Sequence, residues 1–219
     1  YVFGNHDPEG GFGREAIAEV FSKSAWGVLG KHIVTDNYTF KYDYVVNIRY
    51  RDDKNPAWQI YGFDSGSEKG FKSIKKDQLK WYEEKTKETV VKYGTKVPAL
   101  AMFHIPLLEF ESLRKNNTIQ KYGRGLEKVS YEEDDGTVYK KFLQAGNIKA
   151  VLAGHDHYNN FWGTYTGGII LSYGFISGAS TKHAWPVGGK LITLSPNGKT
   201  IGLKNVSPGY DAYNGPMVN

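Results

Sequence analysis

From Tyr38 to Tyr50 the chain alternates, with Tyr38, Phe40, Tyr42, Tyr44, Val46, Ile48 and Tyr50 on one face. That is the period-two signature of a half-buried strand. Trp58–Phe63 predicts a second strand closed by Asp64-Ser65-Gly66, and Val97–Phe103 a third, with Pro106 barring its continuation. Ile148–Ala153, Gly168–Tyr173, Gly189–Leu194 and Thr200–Val206 predict further strands. Asn197-Gly198 supplies a hairpin turn between the last two.

Helical spacing takes over elsewhere. Ile17, Val20, Phe21 and Leu29 predict a helix from Arg14 to about Leu29. A helix capped by Ser73 is expected to run through Leu79, Trp81, Tyr82 and Val90 to Tyr93, where Gly94 stops it. Val138–Ala145 reads as a short helix, and the polar stretch Glu111–Gly136 as a long surface loop. With no internal repeat or domain boundary, the pattern implies one α/β domain over residues 1–219, a sandwich of mixed sheets flanked by helices. Tyr1-Val2-Phe3 reads as the end of a strand already in progress, without an initiator Met. The expectation is an N-terminally truncated piece of something longer.

Composition narrows the partners. The 219 residues carry a net charge of +5, but Lys and Arg are interleaved with Glu along stretches such as Lys69–Lys96. Nucleic-acid binding calls for a concentrated basic stripe, so none is expected. A mild positive field still favours anionic substrates. No apolar run is long enough to span a bilayer. The absence of cysteine excludes disulfides and thiolate metal sites. Sequons at Asn37, Asn116 and Asn205 are compatible with a secretory, extracellular or vacuolar location but do not fix a compartment.

The candidate chemistry lies in the histidines. His6 follows Asn5 in a loop after the first strand, His104 ends another strand, and His155 and His157 flank Asp156 after a third. Three strand ends would thus present imidazoles along one sheet edge, where open α/β sheets place their sites. Neutral imidazole is the commonest metal ligand, and an Asn amide oxygen adds a donor without charge. The His-x-His pair can approach one ion, or two neighbouring ions if the turn bends. Asp7 and Asp156 are the nearest carboxylates, and neither is an obvious bridge. His32 and His183 have no such context, and Asp64-Ser65-Gly66 reads as a strand-terminating turn.

Gly4-Asn5-His6-Asp7, Met102-Phe103-His104-Ile105-Pro106-Leu107 and Gly154-His155-Asp156-His157 resemble the third, fourth and fifth motifs of the calcineurin-like metallophosphoesterases. The flanks Val2-Phe3, Phe63-Asp64-Ser65-Gly66 and the Gln78–Trp81 helix resemble the purple-acid-phosphatase-like branch, which includes inactive relatives. The resemblance implies that Asn5, His104 and His155 ligate one metal and His157 another. It also implies that His6 stands beside the substrate as a transition-state stabiliser or proton donor. The implied reaction is hydrolysis of a phosphate ester, on a protein or a small molecule, by a metal-bound hydroxide at a two-metal centre of Fe, Zn or Mn. The family's first two motifs, with an Asp-x-His and a bridging Asp, would precede Gly4 and have no counterpart here. The chain therefore retains ligands mainly for one ion, and the expectation is little or no turnover by this chain alone. Two other readings remain: a non-catalytic module that binds phosphorylated ligands or partners, and a mononuclear structural or storage site.

Overall fold

The computed structural model describes residues 1–24, 42–66, 72–178, 187–208 and 214. Leu29, His32, His183, the Asn37 sequon and the part of the alternating run over 38–41 lie outside the described residues.

The strands are β1 (Tyr44–Ile48), β2 (Trp58–Gly62), β3 (Ala99–Met102), β4 (Lys121–Tyr122), β5 (Ile148–Ala153), β6 (Trp162–Thr164), β7 (Ile170–Tyr173), β8 (Gly189–Leu194) and β9 (Ile201–Val206). The helices are α1 (Arg14–Lys23), α2 (Lys76–Tyr93), α3 (Leu108–Lys115) and α4 (Thr137–Ala145). The first seven strands form one mixed sheet in the order β1-β2-β3-β5-β7-β6-β4, and β8 pairs with β9 in a separate hairpin. Within the sheet β2, β3, β5 and β7 run parallel, while β1, β6 and β4 are antiparallel additions at the two sides.

Alternation along the parallel strands explains the core. Tyr61, Ala99, Ala101, Val151, Ala153, Leu171 and Tyr173 are buried in one cluster with Leu79, Trp81 and Tyr82 of α2 and Phe110, Leu113, Val138, Tyr139 and Phe142 of α3 and α4. Aromatic edges fill this layer: Phe63 meets Trp81, Phe103 and Phe142 at centroid distances of 5.8, 6.3 and 5.9 Å. The opposite positions are less uniform. Leu100, Ala150 and Ser172 are buried, whereas Ile60, Met102, Leu152 and Ile170 are half-buried. The β8–β9 hairpin is tied to the main sheet by the Trp58 indole, which donates to the Ser195 carbonyl at 2.7 Å. Among the described residues, no helix is long and apolar enough to cross a membrane.

Several expectations shift. Tyr1–Phe3 joins neither sheet, although Phe3 is fully buried and the Tyr1 amino group donates to the Tyr44 hydroxyl at 3.3 Å. The cap of α2 is Lys75, whose backbone N–H donates to Gln78 Oε1 at 2.8 Å, rather than Ser73. Gly94 does terminate that helix in the left-handed conformation, with φ 72°. The stretch read as a long loop instead contains most of α3, the short strand β4 and the buried Val129. The unpredicted β6 pairs with both β4 and β7.

Candidate metal centre

Parallel pairing decides where the motifs meet. The register sets Gly62 opposite Met102, and Met102 opposite Leu152. The segments following β2, β3 and β5 therefore leave the sheet at the same edge, carrying Asp64-Ser65-Gly66, His104 and Gly154-His155-Asp156-His157. The Gly4-Asn5-His6-Asp7 loop reaches this edge from outside the sheet.

His104 is the centre of the arrangement. Its Nε2 lies 2.8 Å from Asn5 Oδ1, and Asn5 is almost fully buried. A Cβ added to Gly4 would come within 3.3 Å of His104 Cε1, and one added to Gly154 within 3.3 Å of its Nδ1. The leading glycines of the Gly4 and Gly154 motifs thus leave room for the His104 imidazole. The His155 ring stands edge-on to His104 at a centroid distance of 5.2 Å. Burial holds the His104 imidazole down to about 4, reinforced by the positive potential of His155, His6, His157 and Arg14. The ring is therefore neutral at pH 7, the state a metal ligand requires.

Each loop is held by its own carboxylate. Asp7 accepts the Gly4 N–H at 2.5 Å and the Tyr1 hydroxyl at 2.8 Å. Buried Asp156 accepts the Ser130 N–H at 3.2 and 3.3 Å and the Tyr173 hydroxyl at 2.5 Å. Both carboxylates are thus committed to holding loops, in keeping with their failing to read as bridges. His155 itself adopts φ 77°, a left-handed backbone that costs a non-glycine residue about 1–2 kcal/mol.

A brace that sequence reasoning missed joins the loops. The Arg14 guanidinium donates to Asp64 Oδ2 at 2.6 Å, to the Gly66 carbonyl at 2.7 Å and to the Gly4 carbonyl at 3.3 Å. It also lies 4.9 Å from the centroid of the Phe3 ring. Ser65 Oγ, fully buried, accepts the backbone N–H groups of His104 and Ile105 at 3.2 and 2.9 Å. Behind them Asp43 accepts the Asp64 N–H at 2.7 Å and the Gln78 amide at 2.9 and 3.0 Å. Burial, with a smaller push from Asp64, raises the Asp43 carboxyl to about 8 against the opposing hydrogen bonds. Asp64-Ser65-Gly66 is therefore more than a strand-terminating turn. Its available signal was its position, since it follows a strand just as the histidine motifs do.

The remaining predicted residues lie at the rim. The His6 side chain is 65% exposed, with Nδ1 2.9 Å from Glu9 Oε1. His157 is also exposed. Among the described residues, no three His, Asp or Glu side chains converge into a ready cation shell. The assembled donors are two imidazoles and an amide oxygen. The 2.8 Å between Asn5 Oδ1 and His104 Nε2 is a hydrogen-bond distance, and it would open slightly for both to bind one cation at about 2.0–2.2 Å. These neutral donors are of the kind that hold a cation, and among the described residues Asp7 and Asp156 are taken up in holding the loops.

The pattern that defines the calcineurin-like phosphoesterases matches residues 1–159. The chain belongs to that family. It is 27% identical to "Probable inactive purple acid phosphatase 29" of Arabidopsis thaliana, over 92% of this chain and 56% of that protein. It is 31% identical to "Probable inactive purple acid phosphatase 28" of the same plant, over 59% of this chain and 32% of that protein. With "Phosphatase DCR2" of Saccharomyces cerevisiae it shares 27% identity over 73% of this chain and 30% of that protein. It thus spans about half or less of the length of these relatives. The expected kinship with the purple-acid-phosphatase-like branch is borne out.

Proposed function

We propose that the intact protein hydrolyses phosphate esters and that this chain contributes the half of its metal centre that holds one cation. The observation that carries this reading is the 2.8 Å approach of Asn5 Oδ1 to the neutral His104 imidazole, with the His155 ring beside them. Asn5, His104 and His155 would hold Fe, Zn or Mn. When bound, the cation supplies Lewis acidity toward a phosphoryl oxygen. In this reading His6 stands beside the substrate as a transition-state stabiliser or proton donor to the leaving group, and His157 belongs to a second cation position. The substrate is a phosphorylated protein or small molecule. Membership in the family and likeness to a protein named a phosphatase support the reading.

The second reading is a non-catalytic module that binds phosphorylated ligands. It draws on the neutral donor set and on the word "inactive" in the names of two relatives. Calorimetric titration of the 219-residue chain with Mn²⁺ tests the first reading. One ion should bind per chain, binding should be lost in His104→Ala, and p-nitrophenyl phosphate should turn over negligibly. Two tightly bound ions with sustained turnover would overturn the half-centre. Absence of Mn²⁺ binding would leave the phospholigand module.

A further inference from the structure

Of the three sequons, those at Asn116 and Asn205 fall among the described residues, and the fold treats them oppositely. Asn116-Asn117-Thr118 follows α3 directly. There Asn116 closes the helix with an extended backbone, at φ −79° and ψ 107°. Its N–H donates to the Ser112 and Leu113 carbonyls at 3.2 and 3.1 Å, and its own carbonyl accepts Lys121 Nζ at 2.6 Å. The backbone of Asn116 is thus fixed on both sides, while Asn117 and Thr118 are exposed.

The polar side chains of this sequon engage each other. Asn116 Oδ1 accepts the Thr118 N–H at 2.8 Å and the Thr118 hydroxyl at 2.7 Å. The first bond is an Asx turn, which an Asn side chain makes with the backbone two residues on. Such a turn is local and needs no tertiary partner. Both bonds fall on the amide oxygen. The amide nitrogen Nδ2 makes no hydrogen bond and is not buried.

Asn205-Val206-Ser207 is the opposite case. Asn205 is fully buried within β9, and its Oδ1 accepts Lys190 Nζ at 2.5 Å. The Ser207 hydroxyl donates to the Val187 carbonyl at 2.6 Å. A sugar attached to Asn205 would have to displace the surrounding hairpin, because a glycan is bulky and belongs at the surface.

We infer that Asn116 is an N-glycan acceptor and that Asn205 is not one in the folded chain. The donor class is an oligosaccharide carried on a lipid pyrophosphate. In the transfer Nδ2 bonds to the anomeric carbon of the first sugar, and the bond from that carbon to the pyrophosphate oxygen breaks. The lipid pyrophosphate leaves with the bonding pair, and one Nδ2 proton is released to solvent. The inference stands apart from the one-cation reading, since it concerns neither the metal donors nor turnover.

The test is secretion of the 219-residue chain from a eukaryotic cell line behind a cleavable signal peptide. Glycans are then released with peptide:N-glycosidase in ¹⁸O-water, which converts each glycan-bearing Asn to ¹⁸O-labelled Asp, and the label is mapped by peptide mass spectrometry. Label is expected at Asn116 in most copies of the soluble chain and is expected to be absent at Asn205. Mapping by peptide keeps Asn37 separate. Thr118→Ser should keep the Asn116 label, and Thr118→Ala should abolish it. Soluble chain unlabelled at Asn116, or labelled at Asn205, would overturn the inference. So would a label that survives Thr118→Ala. The soluble lumenal fraction is mapped alongside the medium, so poor export removes neither outcome.

Discussion

Asn5, His104 and His155 lie against a continuous set of buried supports, whereas His6 and His157 stand exposed at the rim of the same edge. The difference lies in what is behind each side chain. His104 is gripped by two glycines, and its backbone N–H is taken by Ser65. His155 faces Glu132 and turns about the Asp156 anchor. His6 meets Glu9 on its own 3₁₀ turn, a local and exposed contact. Preorganisation thus resides on one side of the centre. A ligand held by buried hydrogen bonds loses little freedom when an ion arrives, and an exposed one must be immobilised at that moment.

The largest effect should come from the brace. Arg14→Met leaves Asp64 as a buried charge without its guanidinium, which should cost about 3–5 kcal/mol of stability. Denaturant titration would show this as a lowered midpoint, and an unchanged midpoint would mean that the supported half does not depend on Arg14. A more gradual effect, at most ~1.4 kcal/mol for each pH unit, is expected from Asp43, whose carboxyl holds its proton up to about pH 8 in the folded chain but releases it near 3.8 when unfolded. Between those values the folded chain binds the extra proton, so stability should fall as pH rises. In Asp43→Asn the stability–pH curve should be flatter over that window; a slope identical to the parent's would contradict the assignment. The smallest change belongs to the rim. His157→Ala should stay within about 0.5 kcal/mol in stability and leave the one-ion Mn²⁺ affinity nearly unchanged. A tenfold loss of affinity would move His157 into the supported half and erase the distinction.

The sequence pattern located β5 and β8 at their observed limits because both are continuous, well-bounded runs. It missed α3 because the apolar pair Phe110 and Leu113 is interleaved with Glu111, Arg114 and Lys115. Those charges pair with one another, at 2.8 Å for Arg114 and 3.1 Å for Lys115, and Arg114 above all holds the Glu111 carboxyl down to about 2. The end of α3 is satisfied by Lys121 Nζ, which donates to the carbonyls of Leu113, Arg114 and Asn116. That cap arises from tertiary structure and has no local signature. Strand β4, two residues long, exists only through its partner β6.

The candidate site divides in the same manner. His104, His155 and His157 stood out because they follow apolar strands, whereas Asn5 and His6 follow a segment that joins neither sheet. The supports of these side chains did not stand out, since each depends on a pairing remote in sequence. Arg14 and Asp64 stand 50 positions apart, and Ser65 and His104 stand 39 apart. Neither partner of such a pair is distinctive alone, and only the shared sheet edge makes them neighbours.

The grip of Gly4 and Gly154 on the His104 ring also bears on where the site is encoded. Two loops remote in sequence come up to the same Nδ1–Cε1 edge of one ring, where a side chain on either glycine would displace the imidazole by a few tenths of an ångström. The placing of His104 is thus written partly in two residues that have no side chain.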